Sequence, residues 1–348
     1  MEGGDSAGFA GCVRPYRTRS GAWVRCQSRL RSKCPSCAEL YRGDWAAIAR
    51  SGVFDGPVQN FRFYLLTLTA PSFGSVHRVP KSENERVKVC GCGVTHAVED
   101  AALRGVPLLP EFYDYAGTVA WNRDSGLLWD RTRRRLRDRW GSVEFFIVRE
   151  WQDRGTLHVH VLVRIARFEA PAPEMLGAAA RSAEAVSKVD GGFVGWGDQG
   201  DCQAFRADGK GAKAIWYLSK ALNYVLKDTA SEGGGASRSW WHVARLAAAA
   251  RVMRCSPECV PSECASRVHD RFGARSHVVS ASRRTSRRVG WSFTGLTRKV
   301  QRLLRVEWML ARDAARAGEV SPERVTSVLE GLAARTSIEL RTRVDALP

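Results

Sequence analysis

Apolar positions in this chain come in blocks whose period changes along its length, and the changes mark its elements. In "FRFYLLTLTAPSFG" β-branched, aromatic and leucine residues run into a Pro-Ser-Phe-Gly stop, which predicts a buried strand from Phe61 to Thr69. "VEFFIVREW" and "TLHVHVLVRI" are two further apolar runs joined by Gln152, Asp153, Arg154 and Gly155, so they predict an antiparallel hairpin. Between these strands, "YDYAGTVAWN" and "LLWDRTRRRLRDRW" (within residues 111–140) have helical spacing and predict one or two helices ending in a basic face. An Ala/Pro/Glu-rich helix is expected at 169–188, and "GGFVGWGDQGDCQAFRADGKG" reads as a glycine-punctuated edge strand. "AKAIWYLSKALNYVLKD" predicts a helix stopped by "SEGGGAS", and the remaining chain is expected to be mostly helical.

Mixed helix and strand signals give an α+β fold class, and 44% hydrophobic positions with 12 tryptophans over 348 residues are ample for sizeable buried cores. The zones fall at 1–60, which is cysteine-rich, at 61–230 with an inserted cysteine-bearing loop at about 71–110, and at 231–348. No run approaches the roughly 20 apolar residues that span a bilayer, and the first residues lack a signal peptide's basic start and apolar core. A cytoplasmic protein with no membrane partner is therefore expected, and in a reducing compartment its ten cysteines point to metal ligands and free thiols.

Charge narrows the partner. Lys and Arg number 54 against 36 Asp and Glu, a net charge of +18, which is the electrostatic footprint of a polyanion binder. Residues 267–305 hold eleven Lys or Arg against the single acid Asp270. Within them Arg283, Arg284, Arg287 and Arg288, read as one side of a helix, are candidates for phosphate contacts that add affinity and little sequence information.

The hairpin carries the first candidate chemistry. With its turn centred on Arg154, Glu150 pairs with His158 and Val148 with His160, so Glu150, His158 and His160 share one face. Two imidazoles and a carboxylate with open positions suit Mg²⁺ or Mn²⁺ that must also bind substrate oxygens. On the later helix Ile215, Leu218, Leu222, Val225 and Leu226 form an apolar stripe, and Tyr217, Lys220, Tyr224 and Lys227 gather opposite. A tyrosine hydroxyl beside a lysine and a phosphate-polarising metal can attack a phosphodiester in line, leaving a phosphotyrosine and a free deoxyribose hydroxyl.

An "LLTLTAP" strand, "HVH" and a later YxxK helix, in that order, resemble the three ordered motifs of the HUH endonuclease superfamily. "KCPSCAELYRGD", "LTLTAPSFGSVHR", "YDYAGTVAWN", "REWQDRGTLHVHVLVR" and "FGARSHVVSASRRTS" resemble phrases of the actinobacterial plasmid rolling-circle replication initiators (RepSA-like), over roughly residues 10–300. The resemblance implies a ferredoxin-like HUH core with a central antiparallel sheet, metal ligands at His158, His160 and Glu150, and origin nicking through a 5′-phosphotyrosine that leaves a 3′-OH primer. It implies plasmid origin DNA, single-stranded or extruded, as partner. No GxxxxGK[ST] loop is present, so unwinding would fall to a host helicase and replication machinery. The tyrosines stand seven apart, where such initiators often have them four apart; Tyr224 with Lys227 is the favoured nucleophile unit and Tyr217 with Lys220 the other. An HUH transposase or relaxase, or a non-catalytic zinc-containing DNA-binding regulator, are the alternative readings.

Cys34 and Cys37 form a CxxC knuckle and Cys90 and Cys92 a CxC, and the two pairs brought together would complete one structural Zn²⁺ site. Cys12, Cys26, His77 and His96 are further candidates. Cys255, Cys259 and Cys264 show no fourth partner of obvious spacing and read as structural.

Overall fold

The computed structural model describes residues 11–21, 23–86, 88–187, 191–209, 211–215, 218, 239–272, 278–304 and 317–318. A short ribbon of β1 (Tyr16–Arg17) and β2 (Trp23–Val24) precedes α1 (Pro35–Phe54) and β3 (Phe61–Thr69). After the insertion come α2 (Tyr115–Arg139), β4 (Glu144–Trp151), β5 (Leu157–Ala166), α3 (Pro173–Arg181), β6 (Glu184–Val186), β7 (Phe193–Gly195) and β8 (Gly200–Phe205). Helix α4 (Trp240–Val252) and strand β9 (Val279–Ala281) follow.

Five strands form one antiparallel sheet in the order β8-β3-β5-β4-β9. Its central strand, β5, is buried on both faces, which is why its apolar residues run nearly continuously rather than alternating. On one face Tyr64, Leu66, Leu68, Ile147, Val159, Val161 and Val163 pack against Trp121, Leu128, Trp129 and Leu136 of α2 and Leu176 of α3. On the other, Phe63, Phe146, Val148 and Leu162 meet Tyr41, Ile48, Ala49 and Val53 of α1. Ala214, Ile215 and Leu218 are buried against this second face, as the apolar stripe of their helix predicts.

Four expectations change. The helix expected at 169–188 is confined to Pro173–Arg181, and Glu184–Val186 within that span is strand β6. The glycine-punctuated stretch splits: β7 pairs with β6 in a separate ribbon, and only β8 is the sheet edge. Between them Gly197 passes so close to β3 that a Cβ there would lie 2.5 Å from the Ala70 carbonyl oxygen, and its N–H donates to Thr69 O at 2.9 Å. The described part of the final zone is less helical than anticipated, since 253–272 is irregular and β9 joins the sheet beside β4. Finally, Arg283, Arg284, Arg287 and Arg288 lie on and beside a tight turn closed by Thr285 and Arg288 rather than along a helix. The Thr285 N–H donates to Arg288 O at 2.9 Å and the Arg288 N–H to Thr285 O at 3.3 Å, the reciprocal pair of a hairpin turn, which a helix cannot make.

That return closes the second face. Trp291 is fully buried with its indole across Gly52, where a Cβ would meet the ring at 2.1 Å, and its Nε1–H donates to Ile48 O at 3.1 Å. Beside it the buried guanidinium of Arg164 donates to Gly52 O at 2.7 Å and Gly290 O at 2.6 Å and lies 3.7 Å from the Phe293 ring centroid. Burial pulls Arg164 down to about 9, a cost that the carbonyl partners and the aromatic faces offset.

Candidate active site and metal centres

The hairpin turn is set by Gly155, which sits at φ +82° where a side chain would be strained, and by the Gln152 N–H donating to Thr156 O at 2.8 Å. This turn fixes the register: Glu150 pairs with His158 and Val148 with His160, the pairing read from the sequence. Because side chains alternate across a strand, Glu150, His158 and His160 project from the face that carries α1 and Ala214, Ile215 and Leu218. The helical stretch leading into the YxxK segment therefore packs on the histidine face. Tyr217, Lys220, Tyr224 and Lys227 themselves lie outside the described residues.

His160 is buried, with Nε2 3.4 Å from Glu150 Oε2 and Nδ1 3.2 Å from Thr67 Oγ1 of β3. A threonine hydroxyl at Nδ1 can accept that ring hydrogen, which turns the Nε2 lone pair toward Glu150 and toward a cation held between them. His158 packs its ring edge-on, 4.5 Å from the His160 ring centre. Gln152, whose Oε1 accepts from Arg154 Nε and Thr156 Oγ1, faces His158 Nδ1 with its amide nitrogen at 3.1 Å. Burial, then the neighbouring His160, Arg154 and Lys81, lower His158 to about 3, so the ring is neutral. With the Gln152 amide donating to Nδ1 its hydrogen sits on Nε2, and metal ligation at Nε2 requires the amide to turn and the ring hydrogen to move to Nδ1. The donor set fits a hard or borderline divalent ion with open positions. Of the two further carboxylates near the hairpin, Glu144 lies at the opposite end of β4 from Glu150, 3.8 Å from Arg137, and Asp153 in the turn pairs with Lys81 at 3.6 Å.

The cysteines separate into compact groups, and the single site expected from Cys34, Cys37, Cys90 and Cys92 is corrected. Cys34 and Cys37 gather with Cys12 and Cys26, while Cys90 and Cys92 gather with His77 and His96; within each group the ligand atoms lie within 4.8 Å of one another. Each pair finds partners in its own neighbourhood: Cys12 and Cys26 on either side of the β1–β2 ribbon join the start of α1, while His77 and His96 flank Cys90 and Cys92 within the insertion after β3. Glu150, His158 and His160 are not among the groups this tightly gathered.

Distances within the groups match the edges of a tetrahedron around zinc. Zn–S near 2.3 Å and Zn–N near 2.0–2.1 Å give edges of about 3.8 Å for S···S, 3.5 Å for S···N and 3.4 Å for N···N. Cys12 and Cys37 sulfurs are 3.7 Å apart, Cys92 Sγ is 3.3 Å and His77 Nδ1 3.2 Å from His96 Nε2, and Cys90 Sγ is 3.7 Å from His77 Nδ1. All ten cysteines are free thiols. His96 turns its other nitrogen to Asp100 at 3.1 Å, the carboxylate–histidine arrangement that orients a metal-binding ring.

Burial raises the Cys34 thiol, but backbone hydrogen bonds at Val13 and Cys37 and the neighbouring thiols outweigh it and bring it to about 6. Cys90 follows the same balance, with hydrogen bonds at Cys92 and Arg78 and from His77, and also reaches about 6. Each group thus holds one thiol poised as thiolate, the form that binds metal. Cys12, Cys26, His77 and His96 were weak signals in the sequence because none stands in a paired motif of its own, although His96 follows Cys92 by only four residues.

These features define an α+β protein that combines an antiparallel sheet and a histidine-bearing hairpin with Cys/His groups able to hold metal. The family model described as replication initiator protein, pSAM2 (RepSA), matches residues 16–339, and the chain belongs to that family. It is similar to a replication initiator protein of Streptomyces ambofaciens, 36% identical over 169 residues. That alignment covers 42% of this chain and spans 36% of the relative's length. No solved structure matches the chain.

Proposed function

We propose that this protein initiates plasmid replication by nicking one strand of origin DNA in the HUH manner. The observation that carries the reading is the placement of Glu150, His158 and His160 on one sheet face, the face on which the helix entering the YxxK segment also packs. Mg²⁺ or Mn²⁺ held by these three residues would polarise the scissile phosphate. Tyr224, or Tyr217, attacks the phosphorus in line; the P–O3′ bond breaks, a 5′-phosphotyrosine forms, and the 3′ oxygen leaves as a hydroxyl that primes synthesis. Lys227, or Lys220, orients the phosphate. Single-stranded or extruded origin DNA is the substrate, with strand separation supplied by a host helicase and replication machinery. Zinc held by the two groups built on Cys34 and Cys90 would brace the N-terminal segment and the insertion.

The test incubates the protein with Mn²⁺ and single-stranded DNA from its own replicon's origin and resolves products on denaturing gels. A protein-linked DNA band is expected for wild type and lost in Tyr224→Phe and in His158→Ala/His160→Ala. Loss in Tyr217→Phe instead moves the nucleophile by two turns. Specific duplex binding without any adduct would overturn the nickase and leave a zinc-containing regulator.

A further inference from the structure

The segment from Met253 to Phe272 contains no helix or strand, and among its residues only Cys259, His269 and Phe272 are buried. So little apolar burial cannot hold an irregular stretch of this length, and such segments are commonly tied by disulfides or metals. No disulfide ties it: Cys255 and Cys264 sulfurs are 3.7 Å apart, against the roughly 2.05 Å of an S–S bond. That separation is instead the S···S edge of a zinc tetrahedron, and the 3.4 Å from Cys259 Sγ to His269 Nε2 is its S···N edge. All four ligand atoms lie within 4.8 Å of one another. The spacing C-x3-C-x4-C-x4-H hides the fourth ligand, because the histidine follows a cysteine rather than another histidine.

Two neighbours on α2 tie this segment to the histidine hairpin. Arg123 donates to Ala250 O at 2.9 Å, Arg254 O at 3.2 Å and Val268 O at 3.2 Å, gripping both ends of the Cys/His segment. The fully buried Asn122 donates to Phe272 O at 3.0 Å and to Gly155 O at 2.8 Å, and its Oδ1 accepts from Leu157 N at 3.0 Å. Phe272 also meets Trp151 of β4, ring centroids 5.5 Å apart. Through Asn122 and Phe272 the segment holds the two residues between which the turn enters the His158 strand.

We propose that Cys255, Cys259, Cys264 and His269 bind a third structural zinc ion, which fixes the segment clamping the turn of the histidine hairpin. Neither the site nor its test depends on nicking. Zinc content of the purified full-length chain, measured by elemental analysis, is expected at three per chain and at two in Cys259→Ser/His269→Ala. His269→Cys, which keeps a four-ligand set, should retain three; in cobalt-substituted protein it should strengthen the thiolate-to-cobalt charge-transfer band. Amide hydrogen exchange at Leu157 should quicken in the double variant and stay at the wild-type rate in His269→Cys. Two zinc ions in wild type, three in the double variant, or a cobalt spectrum unmoved by His269→Cys would overturn the site. Unchanged exchange at Leu157 in a double variant that has lost one zinc would overturn the clamp.

Discussion

His158 shows how one residue's surroundings set its chemistry. Its ring titrates near 3 in the folded protein and near the ordinary 6.5 in an unfolded chain, so between those values the unfolded state binds more protons. The contribution is fully present above about pH 6.5 and is lost as pH falls toward 3. Urea denaturation of wild type and His158→Gln, without added Mg²⁺ or Mn²⁺, should therefore show a stability difference that shifts against the wild type across that window. A constant difference would mean that His158 is not desolvated as described. The pairing of His158 with Glu150 was legible in the sequence because a tight turn leaves little freedom in strand parity. Gln152 was not, because its role depends on Arg154 and Thr156 fixing which way its amide faces.

At the level of elements, the insertion after β3 buries few apolar side chains, Val79 and Val106 among them, so a metal bound at its Cys/His group would be a principal tie. Its two short 3-10 turns, Val98–Leu103 and Pro110–Phe112, have no buried residues of their own, while Cys90 and His96 are buried. Chelation at neutral pH should expose residues 78–104 to limited proteolysis while fragments spanning β3 to β5 persist, a pattern read by mass spectrometry and reversed by added Zn²⁺. Cleavage spread evenly over the sheet would instead make the group integral to the core. The strands were legible because β3, β4 and β5 are long apolar runs. The grouping of the cysteines was not, because Cys12 with Cys37 and His77 with Cys90 are contacts made by the fold rather than by spacing. The arginine turn was misread as a helix for a related reason: four basic residues in six positions fit either geometry, and β9, a three-residue strand, gave too short a signal to decide.

Across the whole molecule, a net charge of +18 makes electrostatics the first force that DNA would feel. Arg283 and Arg287 are exposed, and Arg284 and Arg288 partly so, on the turn after β9. Replacing all four with alanine should lower the slope of log affinity against log salt by about 2.8 for single-stranded DNA if each meets a phosphate, at about 0.7 per contact. Fluorescence anisotropy across a salt series checks this, and an unchanged slope would place the DNA path elsewhere. Overall basicity was legible from composition, but its placement was not, because it rests on where β9 leaves the sheet.

The closing of the sheet's second face by Gly290 and Trp291 also bears on the order in which the protein can be made. Trp291 bonds to Ile48 across 243 positions, and β9 reaches β4 only after more than a hundred intervening residues have been synthesised. Until that late stretch leaves the ribosome, the Arg164 guanidinium lacks one of its two carbonyls and the groove over Gly52 stays open. Contacts so distant along the chain make for slow folding, and they tie α1 to residues far later in the chain. A nascent chain halted before residue 290 would carry both histidines yet lack the finished core around them, so interrupted translation should yield unfolded fragments rather than a protein with a partly built site.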